Sequence, residues 1–173
     1  MSSLADVLRE CVKYGDFTLA SGKKSSYYVD IKKASTEPRL LKMVARSIKE
    51  VIDNHSISAD YIGCVALGGV PVGVAVSLET GLPLIIIRKE TKDYGTKGQI
   101  VGEIQRGRSA VLVEDVTTTG GSVLKAIKLL RDEGLTIRHV ISVVDREEGA
   151  DKNLAGAGVD FIPLVGISEL LRK

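Results

Sequence analysis

The chain has 173 residues, 44% of them hydrophobic and 27% charged, with a formal net charge of +2. That length suits a single domain with a substantial core. The weak positive balance argues against a polyanion-binding surface, and 4% aromatic content without Trp leaves little for base stacking, so no nucleic-acid partner is expected. No apolar run approaches the roughly 18 residues of a membrane span. Met1 to Glu10 carries Asp6, Arg9 and Glu10 in an amphipathic pattern rather than a leader, so a cytoplasmic protein with no membrane partner is expected. Cys11 and Cys64 are far apart and lack metal-ligand spacing, which predicts two buried thiols.

In chain order, Ser2 or Ser3 is expected to cap a first helix through about Val12, with Asp6 as its capping-box acid. Phe17 to Ala20 and Tyr27 to Ile31 read as short strands around a polar turn. Pro38 opens a long helix through about Asp53, whose apolar stripe includes Leu41, Val44, Ile48 and Ile52. Tyr61 to Ala66 reads as a strand, Leu67 to Pro71 as a tight turn, and Val72 to Thr80 as a helix stopped by Gly81. Leu84 to Ile87 is a fully apolar strand. Residues 88–102 break the pattern with four cations and three glycines, which predicts a long functional loop. Val111 to Asp115, Val140 to Val144 and Phe161 to Val165 complete the strands. Helices are expected at Ser122 to Asp132 and Ser168 to Leu171. Near-continuous apolar strands alternating with helices imply an α/β fold, a mostly parallel sheet covered on both faces. His55 and His139 stand without a nucleophile motif and read as structural.

Two segments carry chemistry. In Val111-Leu112-Val113-Glu114-Asp115-Val116-Thr117-Thr118-Thr119-Gly120-Gly121-Ser122, two acids and a hydroxyl-rich turn follow a buried strand and precede a helix. Open α/β sheets bind ligands at that edge. Acids suit sugar hydroxyls or a hydrated metal, and amides at a helix start suit phosphate, so a phosphorylated ribose fits both. An ordinary capped turn would have the same spacing. The second segment is the Gly68-Gly69 pair between strand and helix, which lets amides approach an anion or serves only helix packing.

The first segment resembles the phosphoribosyl-diphosphate (PRPP) signature of type I phosphoribosyltransferases. The resemblance implies that Glu114 and Asp115 hold the ribose hydroxyls and that Thr117, Thr118, Thr119, Gly120, Gly121 and Ser122 cradle the 5′-phosphate. Gly68 and Gly69 would then contact pyrophosphate. Arg88-Lys89-Glu90-Thr91-Lys92-Asp93-Tyr94-Gly95 is similar to the catalytic loop of orotate phosphoribosyltransferases. That similarity assigns Arg88, Lys89, Lys92 and Tyr94 to PRPP, makes Lys92 and Asp115 the catalytic residues, and implies a homodimer whose loop reaches the neighbouring active site. Phe17 to Asp30 resembles the amino-terminal hood of the same family, spanning about residues 1–35 of a single domain 1–173. It assigns orotate to Tyr27, Tyr28, Thr119 and Arg146.

The chain departs from the bacterial pattern at Ala20 and Gly68, where lysines are usual, and at Tyr94, where a histidine is usual. Fewer cations would meet PRPP. The resemblance implies transfer of the phosphoribosyl group from PRPP to orotate, with Mg²⁺ carried by PRPP and no metal held by the protein alone. A purine phosphoribosyltransferase on the same fold is the first alternative. A PRPP-sensing regulator is disfavoured, because no helix-turn-helix precedes the motif.

Overall fold

The computed structural model describes residues 4–18, 24–89 and 98–172. Its elements run α1 (Leu4–Arg9), β1 (Val12–Thr18), β2 (Lys24–Val29), α2 (Ile31–Thr36), α3 (Pro38–Asn54), β3 (Tyr61–Val65), α4 (Gly69–Thr80) and β4 (Leu84–Ile87). Then follow β5 (Ile100–Val101), β6 (Ser109–Thr117), α5 (Gly121–Asp132), β7 (Thr136–Asp145), α6 (Ala150–Gly156), β8 (Asp160–Gly166) and α7 (Ile167–Leu170). The main sheet has the order β5-β4-β3-β6-β7-β8, and all its pairs are parallel except β4 with β5. The mostly parallel α/β architecture expected from the sequence is therefore present.

Strand pleating splits the core into two halves. On one face Ile62, Cys64, Val111, Val113, Ile141 and Val143 meet Val44, Ile48 and Ile52 of α3 and Val72 and Val76 of α4. On the other, Tyr61, Val65, Ile85, Ile87 and Leu112 meet Val123, Ile127 and Leu130 of α5 and Leu154 of α6. Central strands buried on both sides must be apolar at every position, which is why Tyr61–Val65 shows no alternation. Both cysteines are buried and free. Burial pushes the Cys64 thiol up to about 12, so it is an inert core residue.

Several boundaries differ from the sequence reading. The first helix ends at Arg9 rather than near Val12, because Val12 pairs with Val29 and opens the antiparallel β1–β2 hairpin. Ile31 begins a short helix instead of ending a strand. That helix stops at Thr36 because Glu37 precedes Pro38 and is forced extended, at φ −98° and ψ 112°. Glu37 then caps α3, its side chain accepting from the Arg39 N–H at 3.2 Å. The turn expected over Leu67 to Pro71 is already helical from Gly69, with Pro71 in the first turn where its missing N–H costs nothing. The segment 88–102 contains β5, whose neighbour Gln99 accepts at its carbonyl from the Arg88 N–H at 2.7 Å. Helix α6 lies where the sequence reading assigned no element. His55 caps the C-terminus of α3, and His139 sits on β7 facing Asp160 at 3.6 Å.

Candidate active site

Chain order reverses at β3: β4 pairs on one side of it and β6 on the other. Such a switch point opens a crevice at the carboxyl ends of the strands. Here it is a cleft of about 220 Å³ lined by Ala66, Gly68, Lys89, Glu114, Asp115, Thr117, Thr118, Gly120, Gly121 and Ser122, among others. The two glycine-bearing segments singled out in the sequence thus face each other.

The two acids occupy different environments. Glu114 is 7% exposed and points toward the start of α4, where a Cβ on Gly69 would come within 3.1 Å of its Oε1. Its Oε1 accepts from the Asp115 N–H at 3.2 Å. Burial first, then the Asp115 carboxylate beside it, pushes the Glu114 carboxyl up to about 9, while Lys89 pulls the other way. Asp115 is half-buried and fills the space beside Gly68, where an added Cβ would sit 2.9 Å from its Cγ. Absence of a side chain at residue 68, one of the departures from the bacterial pattern, leaves that room to the Asp115 carboxylate. The Ala66–Leu67 peptide bond before it is cis, and Leu67 is 81% exposed.

The loop between β6 and α5 presents backbone more than side chains. The Thr117 hydroxyl turns inward and donates to Ser142 Oγ at 2.9 Å, which donates to the Val144 carbonyl at 2.9 Å. Thr117 thus reaches the cleft mainly through its main chain, while its carbonyl accepts from the Arg146 N–H at 2.9 Å. Thr118 and Thr119 are exposed. Gly120 takes the left-handed conformation at φ 77°, which turns the chain into α5. No side chain caps that helix, so its first amides remain available to an anion.

Of the basic residues, Lys89 lines the cleft. Lys89 also lines, with Arg88, an adjoining cavity of about 310 Å³ between β4 and α5. Lys92 and Tyr94 lie outside the described residues, as does Ala20. The hood tyrosines separate by strand alternation. Tyr27 is half-buried under the Arg146 guanidinium, whose carbon lies 5.8 Å from the ring centre. Tyr28 points the other way and packs on Phe17, with ring centroids 5.6 Å apart. The structure therefore brings Tyr27, and not Tyr28, to Arg146. Sequence reasoning missed Glu148, 3.1 Å from Arg146 Nε, and Asn153, whose side-chain amide donates to the Thr119 carbonyl at 2.8 Å. Neither belongs to a motif; only the fold brings them in.

Residues 32–159 match the model of the phosphoribosyl transferase domain. The chain is 53% identical over 171 residues to the orotate phosphoribosyltransferase of Methanosarcina mazei, covering 98% of this chain and 90% of that protein. It is 51% identical over 171 residues to the Methanocaldococcus jannaschii orotate phosphoribosyltransferase, covering 98% and 96%. The crystal structure of the orotate phosphoribosyltransferase from Aeropyrum pernix superposes with a TM-score of 0.88 at 34% identity, over 98% of this chain and 96% of that one. The Mycobacterium tuberculosis orotate phosphoribosyltransferase, solved in complex with PRPP, superposes at 0.81 with 29% identity, over 96% of each chain.

Proposed function

The chain belongs to the orotate phosphoribosyltransferase family, and we propose that it transfers the 5-phosphoribosyl group of PRPP to orotate in pyrimidine biosynthesis. The products are orotidine 5′-monophosphate and pyrophosphate. The observation that carries this reading is the meeting, in one cleft, of paired acids, uncapped helix amides and a glycine turn. Each suits one part of PRPP.

Glu114 and Asp115 hold the ribose hydroxyls, with Asp115 the direct partner because it is the less enclosed of the two. The amides from Thr118 to Ser122 take the 5′-phosphate at the positive end of α5. Gly68 and Gly69 admit the pyrophosphate close to the backbone. Orotate lies by Arg146 and Tyr27, the guanidinium donating paired hydrogen bonds to the substrate carboxylate. The orotate ring nitrogen gives up its proton to solvent and bonds to C1′ while the C1′–oxygen bond breaks and its electron pair leaves with pyrophosphate. Lys89 and Lys92 meet the negative charge that develops there, and most of the rate comes from positioning and fixed charge.

Mg²⁺ on PRPP would neutralise diphosphate charge and favour departure of the leaving group. The exposed side of the Asp115 carboxylate, beside a phosphate cradle, fits an ion that arrives with its ligand, since Mg²⁺ keeps several waters and prefers phosphates. Among the described residues no three His, Cys, Asp or Glu side chains cluster as an all-protein cage would require.

Two copies pair in this reading. Helix α4 leaves Val74 and Leu78 exposed on its outer side, and Leu67 stands out beside the glycine turn. A second copy would cover this apolar face and adjoin each active site. The enzyme works in the cytoplasm; among the described residues no helix is long and apolar enough to cross a membrane.

The test is the loss of orotate absorbance with PRPP and Mg²⁺ present. Loss that requires both supports the reading. No loss, with turnover of adenine, hypoxanthine, guanine or xanthine instead, would overturn it in favour of a purine substrate.

A further inference from the structure

We infer that Asn153, on the first turn of α6, is a positioning residue that aims the phosphate cradle of the active site. Its side-chain Nδ2 donates to the Thr119 carbonyl at 2.8 Å across 34 residues of sequence. The Thr119–Gly120 peptide is planar and trans, so its carbonyl and its N–H point in opposite directions. Drawing the carbonyl toward α6 therefore turns the Gly120 N–H away from α6. Gly120 lines the cleft, and no carbonyl or side chain of the described residues accepts that N–H. A buried amide without a protein acceptor is suited to a ligand oxygen.

The rest of α6 supports the same geometry. Gly120 packs on this helix, and a Cβ added to it would meet Leu154 Cγ at 3.5 Å and Ala150 Cβ at 3.7 Å. Leu154 and Ala150 are fully buried. Helix α6 thus forms a rigid back wall for the loop, and Asn153 supplies the polar pin at its edge. Gly120 sits at φ 77°, one peptide beyond the pinned carbonyl. Without the pin, the flanking peptide can rotate, and the amides no longer converge on one anion.

This inference rests on the assignment of the 5′-phosphate of PRPP to the cradle, and the experiment separates the two. Steady-state kinetics are measured on the full chain for wild type, Asn153→Ala, Asn153→Asp and Asn153→Gln, with thermal melting alongside. Asn153→Ala is expected to raise the KM for PRPP about fivefold, the value of one net hydrogen bond, while the KM for orotate stays within about twofold. Asn153→Asp, which cannot donate and brings a charge toward the phosphate, raises it further. Asn153→Gln, still a donor, restores much of the loss. Melting temperatures stay near wild type because Asn153 is exposed. An unchanged KM for PRPP in Asn153→Ala, or equal rises for both substrates, overturns the inference while wild-type turnover leaves the enzyme reading intact. A wild type that consumes no orotate sinks that reading, and the inference with it.

Discussion

The Arg146 guanidinium lies over the Tyr27 ring, 5.8 Å from its centre, and forms an ion pair with Glu148, whose Oε1 is 3.1 Å from a buried Nε that makes no hydrogen bond. Its side chain is only 11% exposed. A cation held on one face by an aromatic ring and on one edge by a carboxylate has lost most of its freedom to reorient. Its outer nitrogens are the part left for a ligand. Arg146→Ala should therefore raise the KM for orotate by roughly 10- to 100-fold, the range for hydrogen bonds to a charged group. Tyr27→Leu should cost only a few-fold. Initial rates against orotate at saturating PRPP measure both. An unaltered orotate KM in Arg146→Ala would remove this residue from the base site.

Glu114 makes stability depend on pH in a predictable direction. An unfolded carboxyl titrates near 4.5, whereas burial and Asp115 raise the folded value to about 9. Between those values the folded chain keeps a proton that the unfolded chain has shed. Stability from this group is thus complete below about 4.5 and is lost as pH rises toward 9. Glu114→Gln removes the effect. Relative to wild type, the variant should gain stability from pH 5 to 9, with a slope of up to about 1.4 kcal/mol per pH unit. Urea titrations at several pH values report it, and parallel curves for the two proteins would contradict the assigned environment. Asp115→Asn, by contrast, should lower kcat/KM for PRPP at least about tenfold, because that carboxylate is the proposed partner of the sugar hydroxyls.

How far these features could be read from sequence depends on their range along the chain. Strands Tyr61–Val65 and Leu84–Ile87 and helix Pro38–Asn54 were legible because local apolar pattern and a proline start define them. The acids, glycines and threonines were legible because they are contiguous and sit at one strand end. Helix α6 was not, since Ala150–Gly156 is short and has just one large apolar anchor, Leu154. The hairpin strand Val12–Thr18 was misread in part, because Val12 owes its conformation to Val29, seventeen positions on. The inward turn of Thr117 depends on Ser142, which no local pattern could reveal. Side-chain direction at Tyr27 and Tyr28 follows from strand register, a tertiary property.

Lys92 falls outside the described residues, but its sequence neighbourhood makes a sharp expectation. Lys89, three positions earlier, already lines the cleft. A cation that acts on departing pyrophosphate contributes in the transition state more than in the ground state. Lys92→Ala should therefore cut kcat by about 100-fold or more while the dissociation constant of orotate changes less than about threefold. Single-turnover rates and equilibrium binding separate the two. Unchanged turnover would refute the role.

The exposed face of α4 should decide assembly. Leu78 is 82% exposed on a helix that is apolar nearly all round, and it lies one turn beyond the exposed Val74. Such a face is costly to leave in water and is expected to meet its own copy. Leu78→Asp places a charge in that contact without touching the core, so the chain should still fold. Sedimentation should show a dimer for wild type at micromolar concentration and a monomer for the variant. Because Leu67 and the Gly68-Gly69 turn lead directly into α4, loss of the dimer should also lower turnover by about tenfold. A Leu78→Asp protein that remains dimeric would place the contact elsewhere. A monomeric variant with full activity would show that the cleft is complete within one chain, and that the loop from 88 to 102 serves its own active site rather than its neighbour's.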